Sequence, residues 1–174
     1  FIINTQTSIY EFLKIIASTS NQVKKLTIIE GSTKYDLNEK IIDIYNISKF
    51  IPYHEIIADT YFINPSENLN KLIVKLKKYK KDYFNNKRNN NLFSKYTDKE
   101  IIIIGSLIEK EGLDYEDKRK IFSVINNRLD NNMKLQIDAT VIYAITDGKY
   151  NLERKLTYND LKYNHPANTY IRKG

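Results

Sequence analysis

The most constraining feature of the sequence is an apolar run that ends in charged residues. The run, residues 101–113, reads IIIIGSLIEKEGL. Thr97 and Glu100 precede it with the spacing of a capping box, in which two side chains satisfy the free backbone donors at a helix start. Gly112 is typical of the residue just after a helix. The pattern therefore predicts an apolar helix that carries two glutamates in its last turn.

The two glutamates lie on different faces of this predicted helix. At about 100° per residue, Glu111 continues the most apolar stripe and Glu109 lies over small residues. The apolar stripe is Ile104, Leu107 and Ile108, and the small residues are Gly105 and Ser106. A carboxyl group at the edge of an apolar stripe loses hydration, so we expect its pKa to rise. The helix would then be a buried rod holding one proton donor, Glu111, at the floor of a cleft.

A structural interpretation of the same glutamates remains open, and periodicity alone favours it. Acidic side chains in the last turn of a helix oppose its macrodipole. They can nevertheless pair with a nearby cation, and Lys110, Lys118 and Arg128 are the candidates. Glycoside hydrolysis usually needs a second catalytic carboxylate as well.

Polar and aromatic side chains cluster downstream of the glutamates, between apolar residues. Amides, a guanidinium group, hydroxyls and aromatic faces suit a site for an acetylated sugar. The candidate substrate-binding residues are Asn127, Arg128, Gln136, Asp138, Thr140, Tyr143, Asn168, Thr169 and Tyr170. Structural alternatives exist: a helix cap for Asn127 or Asp138, a surface ion pair for Arg128, and a loop position for His165.

The remaining patterns predict alternating short strands and amphipathic helices. Strands or extended segments are expected at 1–4, 26–31 and 54–63, and a polar loop at 85–91. Helices are expected at 8–18, 34–47, 66–84, 115–131, 138–145 and 157–163. Ser66 is the expected N-cap of the third of these helices and Asp114 that of the fourth. We therefore predict an α+β fold with a small strand and helix subdomain over 1–50 and a mostly helical subdomain over 51–174.

Composition narrows the classes of function. The net charge of +7 suggests nucleic acid, anionic lipid or another anionic polymer as partner, although the excess in residues 75–91 can also be a solvated helix face and loop. The absence of cysteine excludes disulfides, zinc–thiolate sites and thiol catalysis. His54 and His165 have no partner at ligand spacing, so no metal site is expected. No apolar run reaches the roughly 18 residues of a membrane span.

Three ordered motifs carry a family resemblance. SLIEKE, INNRLDNNMKLQIDATVIYAI and NTY resemble motifs of the MltG/YceG family of endolytic peptidoglycan transglycosylases. Upstream, EIIADTYFI is similar to a further family motif, and LTIIEGSTKYDL resembles part of the family's LysM-like subdomain. The resemblance covers nearly the whole chain. Ala58 and Ala139 stand where the family has proline, Ala167 stands where it has tyrosine, and the family pattern continues beyond Gly174.

The resemblance implies an enzyme with a LysM-like subdomain followed by a YceG-like catalytic domain that is incomplete at its C-terminus. Family members cut glycan strands between N-acetylmuramic acid and N-acetylglucosamine and leave a 1,6-anhydro end. The catalytic glutamate of the family maps onto Glu111, and Glu109 would support it. No cofactor or metal is implied. The implied partners are glycan strands and peptidoglycan synthases, without nucleic acid.

The resemblance also implies a location at the bacterial inner membrane. A single-pass N-terminal anchor outside this chain would hold the protein, with the catalytic part in the periplasm or outside the cell membrane. Two other classes stay open at this point. The chain could be a peptidoglycan-binding module with a degenerate or incomplete catalytic site. It could also be a basic nucleic-acid binder that uses residues 75–91, although no phosphate-binding loop or RNA-binding aromatic motif is present.

Overall fold

A computed structural model describes residues 3–17, 23–89 and 94–173, and its secondary structure is mixed. In chain order the elements are α1 (Ile9–Ala17), β1 (Lys24–Ile28), α2 (Lys34–Tyr45), β2 (Asp59–Ile63), α3 (Leu69–Lys87), α4 (Asp98–Glu111), α5 (Tyr115–Asp130) and α6 (Asp138–Thr146). Short 3-10 turns lie at Tyr53–Glu55 and Asp160–Lys162. The predicted α+β class is confirmed.

A first core forms on the sheet of β1 and β2. The strands are antiparallel, with Leu26 opposite Tyr61. Because side chains alternate along a strand, Leu26 and Ile28 point into the core and Thr27 does not. The buried members are Leu26, Ile28, Leu37, Ile41, Ile51, Ile56, Ile63, Leu69, Leu72 and Leu76. They come from both sides of position 50. The predicted division at that position stays a prediction.

A second core lies among the helices that follow. Ile104, Ile125 and Leu135 are buried in it, and partly buried apolar residues of α4 and α5 surround them. α4 packs on α5 and α6 and also meets the turn at Tyr53–Glu55. These contacts make α4 the element that connects the two cores.

The predicted helix caps of this second region are confirmed. The Thr97 N–H donates to Glu100 Oε2 at 2.8 Å, and the Glu100 N–H donates to Thr97 Oγ1 at 3.3 Å. The Asp117 N–H donates to Asp114 Oδ1 at 2.9 Å, which starts α5. Local sequence therefore sets where both helices begin.

The start of α3 differs from the prediction. Its N-cap is Asn68 and not Ser66, because the Asn70 N–H donates to Asn68 Oδ1 at 2.8 Å. The Ser66 N–H instead donates to Asn64 Oδ1 at 3.0 Å in a preceding turn. At its other end α3 runs to Lys87, so the first residues of the predicted polar loop are helical.

The predictions at the two ends of the chain are only partly matched. Ile3 and Asn4 are not in a strand, and the rest of that predicted strand lies outside the described residues. The helix expected over 157–163 is only a 3-10 turn, although the Asp160 N–H does bond Thr157 Oγ1 at 3.3 Å. α1 buries none of its residues, and Ile9 is 82% exposed. Within the described ranges, no helix is long and apolar enough to cross a membrane.

Candidate functional site

The candidate site lies where the end of α4 meets the start of α6. Glu111 is the last residue of α4, and its Oε1 accepts a hydrogen bond from the Ala139 N–H at 3.4 Å. Ala139 is in the first turn of α6, and a helix N-terminus attracts negative charge through its free N–H groups and its dipole. The start of α6 therefore contacts the carboxylate of Glu111 through one long hydrogen bond.

Glu111 is exposed, so the burial that we expected for its carboxyl group from the apolar stripe is not observed. Its place at the floor of a cleft stays a prediction. The apolar stripe is covered only as far as Ile108, which packs on the second core. α4 ends one turn later, and nothing among the described residues buries its last side chain. Of α4, only Ile104 is fully buried. The desolvation on which the sequence argument relied is therefore absent.

Tyr170 and Asp138 form a tight pair beside Glu111. The Tyr170 hydroxyl donates to Asp138 Oδ1 at 2.5 Å. This hydrogen bond, with partial burial and the negative charge of Asp138, raises the pKa of Tyr170 to about 12. The charges of Glu111 and Arg128 act on the same phenol with opposite signs. Asp138 is the first residue of α6, but its side chain bonds Tyr170 and does not cap the helix, which has no side-chain cap.

Arg128 holds the segment between α5 and α6. Its guanidinium group donates to the Leu135 carbonyl and, at 3.3 Å, to the Lys134 carbonyl. It also lies 3.5 Å from Gln136 Oε1. These bonds replace the surface ion pair that was the structural alternative for Arg128. Gln136 itself has a left-handed backbone with φ of 52°, and its side chain is exposed near the site.

Two buried threonines fasten the C-terminal segment to α6. The hydroxyl oxygens of Thr140 and Thr169 lie 2.9 Å apart, and the Ile137 N–H donates to Thr169 Oγ1 at 3.0 Å. The Gln136 N–H donates to the Thr169 carbonyl at 3.1 Å. Both threonines are buried. Their bonds connect the C-terminal segment to α6 beside the site, and their predicted contact with substrate stays a prediction.

Asn168 is fully buried and bonds three backbone groups beside the site. Its Nδ2 donates to the carbonyls of Leu161 and Tyr163 at 3.1 and 2.8 Å, and its Oδ1 accepts from the Tyr170 N–H at 2.9 Å. Both amide donors of Asn168 are used internally, and its predicted contact with a sugar stays a prediction. Its effect on the site passes through the backbone of Tyr170.

The other predicted residues make contacts with groups other than the Glu111 carboxylate. Glu109 accepts from Lys118 Nζ at 2.7 Å, which is the ion pair that the structural interpretation expected. Asn127 is an exposed residue within α5 and not a cap. Tyr143 faces His165 with ring centroids 6.4 Å apart, and burial raises the pKa of its phenol. His165 occupies a loop, as the alternative predicted.

Gly112 ends α4 for a different reason from the expected one. Its φ is −93°, which any residue can adopt, and not left-handed. A Cβ at this position would lie 2.5 Å from Lys118 Cγ and 3.1 Å from the Ile108 carbonyl oxygen. The glycine is therefore required by the close approach of α5, which also brings Lys118 to Glu109.

Sequence reasoning missed the backbone donor of Ala139, because an N–H group has no residue-type signature. The structure also has a concave surface that encloses about 540 Å³ and is lined by residues such as Glu30, Asp36 and Glu39. In the described parts of the chain, no group of three or more His, Cys, Asp or Glu side chains could hold a metal ion.

Comparison with known proteins supplies the family. The profile of the YceG-like family matches residues 1–174. The chain belongs to the YceG-like family. It is 34% identical over 113 residues to an endolytic murein transglycosylase of Bacillus subtilis (strain 168), covering 65% of this chain and 30% of that protein. A protein of the same description from Streptococcus pneumoniae serotype 2 is 32% identical over 122 residues, covering 66% of this chain and 21% of that protein.

A solved structure agrees on the fold. The crystal structure of a YceG-like protein from Listeria monocytogenes aligns with 95% of this chain and 64% of its own, with a TM-score of 0.66 and 24% identity. The family resemblance drawn from the three motifs is thus confirmed. The chain spans only 30% and 21% of the length of the two curated relatives.

Proposed function

We propose that this chain carries the catalytic glutamate of an endolytic murein transglycosylase. The bond cut would be the one between N-acetylmuramic acid and N-acetylglucosamine in peptidoglycan glycan strands. The observation that supports this most is the place of Glu111. It is solvent-accessible at the end of α4, accepts a hydrogen bond from the start of α6, and lies near the pair of Tyr170 and Asp138. The curated relatives that this chain matches are named endolytic murein transglycosylases.

One carboxyl group is enough for this reaction. In its neutral form Glu111 gives its proton to the glycosidic oxygen, and the bond from that oxygen to C1 of the muramic acid breaks. The resulting carboxylate takes the proton of the C6 hydroxyl, whose oxygen bonds to C1 and closes the 1,6-anhydro ring. Glu111 returns to its neutral form, and no water is consumed. A second catalytic carboxylate, which hydrolases use, is not required.

The neutral form of Glu111 would come from the bound glycan. Glu111 is exposed in the chain alone. A sugar ring over it would exclude water, and loss of hydration favours the uncharged carboxyl group. The Ala139 N–H opposes this, because it favours the carboxylate that forms after the first proton transfer.

The other site residues divide into contact and support. Gln136, Asp138 and Tyr170 present polar atoms near Glu111 and would contact the sugar and its acetamido groups. Buried residues such as Asn168 would position them. Glu109 would support the end of α4 through Lys118, and it has no direct role in proton transfer in this proposal.

The setting of the enzyme is also part of the proposal. The N-terminal subdomain predicted over residues 1–50 would be LysM-like and would bind or orient glycan strands. A membrane anchor outside this chain would keep the site on the outer side of the bacterial inner membrane, where peptidoglycan synthases would be its neighbours. Each of these follows from the family resemblance.

Digestion of purified sacculi in water enriched with ¹⁸O tests the reaction. The proposal predicts muropeptides with 1,6-anhydro ends that carry no ¹⁸O, measured by mass spectrometry. Reducing ends that contain ¹⁸O would identify a hydrolase and contradict the proposal. Retention on sacculi without any product would support the alternative, a peptidoglycan-binding module with an incomplete catalytic site.

A further inference from the structure

Three polar side chains connect the start of α2 to the C-terminal end of α6. Lys34 Nζ donates to both carboxylate oxygens of Asp147 at 2.8 Å, and the Tyr35 hydroxyl donates to Asp147 Oδ2 at 2.7 Å. Lys34 and Tyr35 begin α2, and Asp147 is the C-cap of α6. We call these three side chains the joint. It connects residues that are more than one hundred positions apart.

The loop before α2 also touches the end of α4. A Cβ at Gly31 would lie 3.5 Å from Glu109 Cγ and 3.9 Å from Lys110 Nζ, and the φ of Gly31 is +78°. On the other side, a Cβ at Gly148 would lie 3.4 Å from Thr33 Cγ2. One loop thus approaches both helices that form the candidate site.

This loop is anchored firmly to α2. Thr33 is the N-cap of α2, and the capping box with Asp36 is complete. The Thr33 N–H donates to Asp36 Oδ2 at 2.7 Å. Movement of α2 would therefore carry the loop and the joint with it.

The energetics of the joint indicate positioning and not bulk stability. The Lys34 and Asp147 side chains are 30% and 46% exposed, and ion pairs with such exposure contribute little to stability. Lys34, and then Tyr35, hold the pKa of Asp147 below its usual range. Three donated hydrogen bonds on one carboxylate define its orientation far more than a single surface contact does.

We propose that Asp147, held by Lys34 and Tyr35, is a positioning residue for Glu111, an inference that rests on the proposed function. α6 has nine residues, and at 1.5 Å per residue it is a rod of about 14 Å. Its first turn donates to Glu111 through Ala139, and its C-cap, Asp147, is held by Lys34 and Tyr35. Displacement at one end of so short a helix moves the donor at the other end. The start of α2, acting through the joint and α6, would therefore set the position of the Glu111 carboxyl group.

Reversing the charges tests the joint. Asp147→Lys and Lys34→Asp should each lower kcat for 1,6-anhydro product by about tenfold with KM within about twofold, because misplacement of a reacting group lowers the rate of the chemical step. The double variant should recover to within about threefold of the unmodified protein, as coupled pairs do. Lys75→Glu, which breaks a comparable ion pair with Glu67 elsewhere, is the matched control and should leave kcat unchanged.

The result that overturns the proposal is a double variant no better than the worse single one, or single variants with unchanged kcat. Asp147→Asn, which keeps the shape of the side chain, serves if a reversed charge prevents folding. Amide hydrogen exchange at Ala139 gives a readout that does not need activity. The single variants should speed it and the double variant should restore it. If the unmodified protein makes no anhydro product, the proposed function fails, and unchanged exchange in the single variants would separately refute the joint.

Discussion

Replacement of Asn168 by alanine should be among the most destabilising single changes near the site. The side chain is fully buried, and it satisfies the carbonyls of Leu161 and Tyr163 and the N–H of Tyr170. Asn168→Ala leaves these groups without their partner, and each such buried group costs about 1–3 kcal/mol. Because the bonds are only part-buried on the partner side, we expect a loss of about 4 kcal/mol in the free energy of unfolding.

Urea unfolding followed by circular dichroism measures this loss. A chain of this size shifts its melting temperature by about 2–4 °C per kcal/mol, so the melt should fall by about 8–16 °C. Asn168→Asp should cost a similar amount, because a carboxylate cannot donate to the two carbonyls.

The matched control is Asn127→Ala. This amide is exposed on α5, so its loss should change stability by less than about 0.5 kcal/mol. A loss below about 1 kcal/mol for Asn168→Ala would refute the buried, supporting role of this residue. Full stability combined with lost substrate binding would instead favour direct contact with the sugar.

Three further predictions concern the glycines, the joint and the tyrosine. Gly112→Ala should lower the free energy of unfolding by about 1–3 kcal/mol through overpacking. Gly105→Ala, where a Cβ meets no atom within 4 Å, should instead stabilise α4 by about 0.5–1 kcal/mol. Equal effects of the two variants in thermal melts would contradict this. Because its pKa is lowered, Asp147 contributes stability above its unfolded pKa of about 4 and loses it as the pH falls through the folded pKa. Asp147→Asn should therefore melt lower than the unmodified protein at pH 7 but not in strong acid, and a pH-independent difference would contradict this. Tyr170→Phe should lower product formation at least about fivefold with a stability loss under about 1.5 kcal/mol, and full activity would exclude a role for the hydroxyl.

Local features of the fold were predictable from the sequence. Capping boxes and caps depend on residues three positions apart, so Thr97 with Glu100 and the cap at Asp114 were correct. The apolar stripe of α4 faced the core as periodicity indicated. The order of the motifs was enough to identify the family.

Features that depend on distant parts of the chain were not predictable. Asn168 is buried because the segment that contains Leu161 packs against it. The apolar stripe of α4 is covered only as far as Ile108, which depends on how α5 packs on α4. The joint connects Lys34 to Asp147, and periodicity contains no information on such pairs. The Asp147–Gly148 pair does signal a turn, but not its partner.

The central claim is that Glu111 performs the proton transfers, and a single substitution tests it most directly. Glu111→Gln removes the proton donor but keeps the shape of a side chain whose described contact is one long hydrogen bond. The free energy of unfolding should change by less than about 1 kcal/mol, since exposed charges at a helix end contribute about that much.

On purified sacculi, Glu111→Gln should lower the rate of 1,6-anhydro muropeptide formation at least about 100-fold, the usual contribution of a general acid and base. Glu116→Gln, at a side chain that is 67% exposed, is the matched control and should retain the full rate. An unmodified rate in Glu111→Gln, with 1,6-anhydro ends as product, would contradict the account.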